Sequence, residues 1–180
     1  MKSPILPSVA LLLLLFAACN NSSNEQLTSP SKPKIVLRSF TDTAKLDTFK
    51  IELKGTKPKN MELLFTITPE GGQTVYSKIL KATDLLDNYK ETVDLAKGKQ
   101  QIKFMQEELG LFFEDENFLE PAVTENEQPD KNTPDKIFFN ELKTSSLNGF
   151  TYRLGKESKV YIAWSQKDKK VKVYYQCCEL

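Results

Sequence analysis

Residues Phe150–Gln176 read FTYRLGKESKVYIAWSQKDKKVKVYYQ, and this stretch decides the fold. Three runs, Phe150–Leu154, Lys159–Trp164 and Lys169–Gln176, alternate apolar and polar side chains, the period-two pattern of half-buried strands. Gly155-Lys156-Glu157-Ser158 and Ser165-Gln166-Lys167-Asp168 separate them. Four residues turn an antiparallel pair, whereas parallel neighbours need a crossover of a dozen or more. The spacing predicts a three-stranded antiparallel meander. Val171, Val173 and Tyr175 share one strand face; Lys170, Lys172 and Tyr174 share the other. With Val160, Ile162 and Trp164 inward beside the first set, Tyr161 and Tyr174 fall outside among Lys159, Lys170 and Lys172. That outer face has two readings. Tyrosine rings can offer flat surfaces to a sugar or a protein partner, or lysines and tyrosines simply keep a sheet face soluble.

Upstream, the same alternation recurs. Lys34–Phe40, Asp47–Leu53, Met61–Ile67 and Thr74–Leu80 read as strands, and Pro69-Glu70-Gly71-Gly72 reads as the hairpin turn joining the last two. Gln101–Met105, with Ile102 and Phe104, is predicted as a further strand. Thr83-Asp84-Leu85-Leu86-Asp87 supplies a capping threonine and a first-turn acid, predicting a short helix through Tyr89. Thr133-Pro134-Asp135 is a similar start signal before Ile137, Phe138, Phe139 and Leu142, a cluster that suits helix or strand equally. Between these, Glu114–Asp130 carries seven acids, no base and two prolines, which predicts a mobile acidic loop extending toward residue 135. The expected fold is mainly β, with an α+β variant open: an antiparallel β-sandwich or curled sheet, ending in the meander, with one or two short helices.

Composition removes whole classes of chemistry. The chain of 180 residues contains no histidine. Ser-His-Asp and Cys-His catalysis, and histidine-liganded zinc or haem, are therefore excluded. No cofactor is expected. Apart from Cys19, the cysteines are Cys177 and Cys178, too few for a disulfide framework. Neighbours on a strand point to opposite faces, so a bridge between them requires leaving strand geometry. One buried thiol beside one near the surface is the simpler arrangement, with a vicinal disulfide or a bridge to a partner as the alternatives. The acidic run lacks the ligand spacing of a calcium loop, and no metal site is expected. Any carboxylate chemistry would draw on acids such as Glu107, Glu108, Asp84 and Asp87, which the sequence does not bring together.

The first residues carry an address. Lys2 precedes the apolar run Val9–Ala18, and Phe16-Ala17-Ala18-Cys19 ends it: a charged region, a greasy core and a small-residue cut. About ten apolar residues are roughly half of what a bilayer-spanning helix needs. The order resembles a bacterial lipoprotein signal of the kind abundant in Bacteroidota, with Phe where Leu is usual at the first box position. The resemblance implies cleavage after residue 18 and acylation of Cys19. Two or three acyl chains hold a protein firmly where one holds it marginally. Asn20 in place of Asp after the cysteine implies the outer membrane, facing periplasm or cell surface.

Asn20–Lys34 has Leu27 as its single large apolar side chain. It cannot bury enough apolar area to offset chain entropy, so residues 19–33 are expected to be a disordered tether reaching about 20 Å. The rest, 34–180, suits one domain. Lys2 is the one charge in the signal, leaving 24 basic against 24 acidic residues. That balance gives nucleic-acid binding no electrostatic support. Two functions are expected of such a chain. One is a membrane-tethered, non-enzymatic module that binds an envelope protein or glycan. The other is a glycoside hydrolase working through a pair of carboxylates.

Overall fold

A computed structural model describes residues 31–89, 91, 94–155 and 158–178. The signal, Cys19 and all but the end of the tether lie outside them. The fold is mainly β in an α+β arrangement: two four-stranded antiparallel sheets and, among the described residues, three α-helices.

The first sheet runs β1 (Lys34–Arg38), β2 (Asp47–Lys54), β3 (Glu62–Thr68) and β4 (Tyr76–Lys81) in chain order. Its alternation is the one written in the sequence. Phe49, Ile51 and Leu53 of β2, and Leu63, Phe65 and Ile67 of β3, are buried, and the residues between them are half-buried. The β3–β4 turn is closed by Gly72 N–H donating to the Pro69 carbonyl at 3.0 Å. Gly71 takes a φ of 66° there, where a side chain would be strained. Helix α1 (Ala82–Tyr89) follows β4 directly. It ends where expected, but Thr83 lies inside its first turn rather than capping it.

Residues Gln101–Met105 are not a strand. They belong to α2, Gly98–Leu111. A five-residue window shows Ile102 and Phe104 alternating, but the longer stripe Ile102, Met105, Leu109 recurs at three and four residues and is buried throughout. The intervening residues are good helix formers. Lys103 pairs with Glu107 one turn on, at 3.4 Å.

The expected meander is present as β6 (Gly149–Arg153), β7 (Lys159–Ser165) and β8 (Lys170–Cys177). A short strand, β5 (Phe118–Leu119), pairs with β6 and makes it a four-stranded sheet. β5 arises within the stretch predicted to be an acidic loop: residues 120–135 carry no helix or strand, as expected, but 115–119 do form regular elements. Asp115–Asn117 forms a 3-10 turn, and Ala122 and Val123 are buried. The apolar side chains between the acids (Phe118, Leu119, Ala122, Val123) give the stretch enough to pack.

The ambiguous cluster after Thr133 resolves as helix α3, Lys136–Ser145. Asp135 is its N-cap, accepting from Ile137 N–H at 3.1 Å and Phe138 N–H at 3.0 Å.

The two sheets share one core with α1 and α2, centred on Phe49, Phe65 and Phe150. The second sheet is also covered on its far side. Phe138, Phe139 and Leu142 of α3, with Ala122 and Val123, pack there against Ala163 and Tyr174.

Cys177 and Cys178 form a vicinal disulfide, so the two-thiol arrangement is corrected. The geometric condition is met: β8 stops at Cys177, and Cys178 takes a left-handed φ of 64°.

Candidate functional site

The meander's far side is where the sequence reading and the structure part. Strand β8 slips its register against β7: Tyr161 faces Tyr175, yet Ile162 faces Val173. Tyr174 is the extra residue of a β-bulge, and a bulge brings successive side chains toward one face. Val171 and Val173 pack into the core between the sheets, while Tyr174 and Tyr175 both join Tyr161 on the far side. Tyr175 was expected inward; the bulge turns it out.

Tyr174, expected exposed, is buried, because α3 and residues 118–123 cover the face on which alternation placed it. Its hydroxyl donates to the Ala122 carbonyl at 2.9 Å. Burial, with the Glu127 charge and Tyr161 adding to it, pushes that hydroxyl well above the usual tyrosine range. Gly149 makes the close approach possible. A Cβ at that position would lie 2.9 Å from Ala122 Cβ and 3.0 Å from the Tyr174 hydroxyl.

The lysines of the expected face are dispersed. Lys172 is tied down over the Phe138 ring, pairing with Asp135 at 2.7 Å and Asp168 at 2.8 Å. Those hydrogen bonds raise the Lys172 pKa and hold both aspartates below the usual carboxylate range. Lys170 is exposed at the start of β8. Lys159 lines a different cleft.

What remains is a cleft of about 570 Å³ between the tyrosines and the segment Phe118–Asp130. Tyr161 and Tyr175 form one wall, half-buried, their rings 5.3 Å apart and 86° to each other. The opposite wall is fixed by backbone. Ala122 N–H donates to Leu147 O at 2.8 Å, and Thr124 N–H donates to the Glu127 carboxylate at 2.5 Å. Asp130 closes the end: its Oδ1 accepts from Asn132 N–H at 2.8 Å, and the Tyr175 hydroxyl donates to its Oδ2 at 3.3 Å. Gln176 N–H donates to Asn132 O at 3.0 Å, tying the end of β8 to that segment. Three carboxylates line the space, Glu120, Glu127 and Asp130, and among the described residues no lysine or arginine does. Its size suits a small organic ligand, and aromatic walls with a few convergent polar groups are what such sites use.

A second cleft, about 310 Å³, lies between α2 and β6. Glu108 sits there largely buried, 3.1 Å from Arg153. Burial raises its carboxyl, Arg153 opposes that, and Glu107 adds to it. Glu114 and Glu116 line the same cleft, whereas Asp84 and Asp87 do not. Among the described residues no group of three metal-ligating side chains could hold an ion, and no helix is long and apolar enough to cross a membrane.

Sequence reasoning found Tyr161 and Tyr174 but missed Tyr175, Glu127 and Asp130 as neighbours. The adjacent tyrosines were visible; the bulge that gathers them was not. No family model, curated protein or solved structure matches this chain.

Proposed function

We propose that this chain is a lipid-anchored, non-enzymatic binding module of the bacterial outer membrane, facing periplasm or cell surface. Acylated Cys19 moors it, residues 19–33 hold it clear of the headgroups, and the tyrosine cleft takes a partner from the envelope, a glycan or a protein segment. The observation that carries this reading is the Tyr161–Tyr175 corner. Two half-buried rings, set at right angles over a cleft with a polar rim, leave aromatic surface uncovered that stacking on a ligand would bury. The chain has no imidazole, and the carboxylates of the cleft, Glu120, Glu127 and Asp130, are exposed to solvent.

Two measurements test it. Radioactive palmitate should label the wild type and not Cys19→Ala; an unlabelled wild type rejects the anchor. On a glycan array, Tyr161→Ala and Tyr175→Ala should each weaken binding about tenfold, the scale of a lost aromatic stacking contact. Binding that survives both substitutions rejects the cleft.

One observation favours hydrolysis instead: the raised carboxyl of Glu108 beside Glu114 and Glu116 in the smaller cleft. A glycosidase acid needs such a raised value, although the Arg153 partner holds Glu108 toward its ionised form. Sugar release abolished by Glu108→Gln would establish that reading. Sugar binding without release excludes it.

A further inference from the structure

The tyrosine cleft is negative as well as aromatic, and the combination selects among ligands. Glu120 and Glu127 are exposed on one wall, Asp130 closes one end, and among the described residues no cationic side chain lines the space. Lys131 follows Asp130 in the chain and is exposed without lining the cleft, while two other cations are paired. Lys172 sits between Asp135 and Asp168 at the start of α3, and Arg38 stacks over the Phe118 ring while pairing with Asp115.

Tyrosine faces attract cations through the ring quadrupole at centroid distances up to about 6 Å. Two such faces meet at the corner of Tyr161 and Tyr175. Glu127 receives Thr124 N–H on Oε2 and is exposed, so its carboxylate keeps acceptor capacity.

Resting on that cleft as the ligand site, we propose that it takes a glycan bearing a free amine, whose ammonium group sits against the Tyr161–Tyr175 corner with Glu127 as its counter-ion. A sugar fits better than a peptide on two grounds. A pyranose presents a flat C–H face that stacks on tyrosine, while Thr124 and Gln128 on the rim serve its hydroxyls. An extended peptide would be captured most readily by adding a strand at a sheet edge, and near the end of β8 the Gln176 N–H is already taken by Asn132 O.

The probe pair is a glucosamine trimer and its fully N-acetylated counterpart, which differ in charge and acetyl groups on one backbone. Each is titrated calorimetrically into the full-length protein in detergent. The free-amine trimer should bind about tenfold more tightly, and its affinity should fall as salt rises, as a screened ion pair requires. Glu127→Gln keeps the acceptor for Thr124 and removes the charge, so it should erase most of that preference. If Glu127→Gln melts early, Glu127→Ser, equally uncharged, supplies the comparison, and a preference unchanged there overturns the proposal. Equal or tighter binding of the acetylated trimer overturns the cation but leaves the cleft a glycan site. A lysine-rich peptide that binds more tightly than either trimer overturns the glycan. No binding of any of the three overturns both this inference and the cleft on which it rests.

Discussion

Asp47 has no solvent exposure, yet it is a carboxylate facing the core. Its parity on β2, with Phe49, Ile51 and Leu53, is legible in the sequence; what satisfies it is not. Its Oδ2 accepts from Phe40 N–H at 2.9 Å and Thr41 N–H at 2.6 Å, and its Oδ1 from the Thr41 hydroxyl at 2.8 Å. Those bonds fold the end of β1 back over β2. Asp47→Ala strands two backbone donors in a dry place, a penalty of about 1–3 kcal/mol. A urea melt should show a lower midpoint at unchanged slope, and Asp47→Asn, which keeps an acceptor, should recover part of the loss. A midpoint equal to wild type in the alanine variant would contradict this account. Tyr174 shows the same limit of residue-level reading: its face follows from alternation, while its burial depends on a helix some thirty residues earlier in the chain.

At the scale of elements, α3 and α2 show why short windows mislead. Phe138, Phe139 and Leu142 suit either period, and the cap decided: Asp135 satisfies two orphan N–H groups at the start of α3. The same carboxylate binds Lys172, so one residue starts the helix and pins it to β8. Asp135→Ala should cost about 1 kcal/mol, the usual worth of an N-cap. The Lys172 pair adds less, because the Asp135 side chain is about a third exposed and solvent screens it. The folded Asp135 carboxyl titrates below its unfolded value, with the Lys172 hydrogen bond the main cause. Its contribution is therefore full above the unfolded value, about 4, and is lost as pH falls through the folded one. Thermal melts should show a gap between wild type and variant at pH 7 that shrinks as pH falls well below about 4. A gap that widens on acidification would refute the assignment. In α2, the strand-like pair Ile102 and Phe104 is overruled by the longer helical stripe, which only a packed partner surface rewards.

Across the whole molecule, the two sheets are one cooperative unit because their aromatic side chains interlock. Phe65 of the first sheet lies within ring contact of Phe150 and Tyr152 of the second, at 5.2 and 5.9 Å, and of Phe112 at the end of α2, at 5.1 Å. The Tyr76 and Tyr152 hydroxyls, 2.6 Å apart, add a hydrogen bond across the same gap. Phe65→Ala should cost about 3–5 kcal/mol, a large share of the roughly 5–15 kcal/mol of a typical domain. Trp164, the sole tryptophan, reports on the second sheet. Its fluorescence and the far-ultraviolet circular dichroism should unfold at one midpoint in wild type and at one lower midpoint in the variant. Separate transitions would mean that the sheets fold independently. The sequence by itself determined the strands, the meander and the missing imidazole chemistry, because alternation and composition are local properties of the chain. The lipoprotein address is written there too, as an expectation. Only the tertiary structure decided that α2 is a helix, that Tyr174 is buried and that Tyr175 turns toward the cleft. Each of those depends on which distant surface arrives to cover a face, and a side chain's own neighbours in sequence carry no record of that.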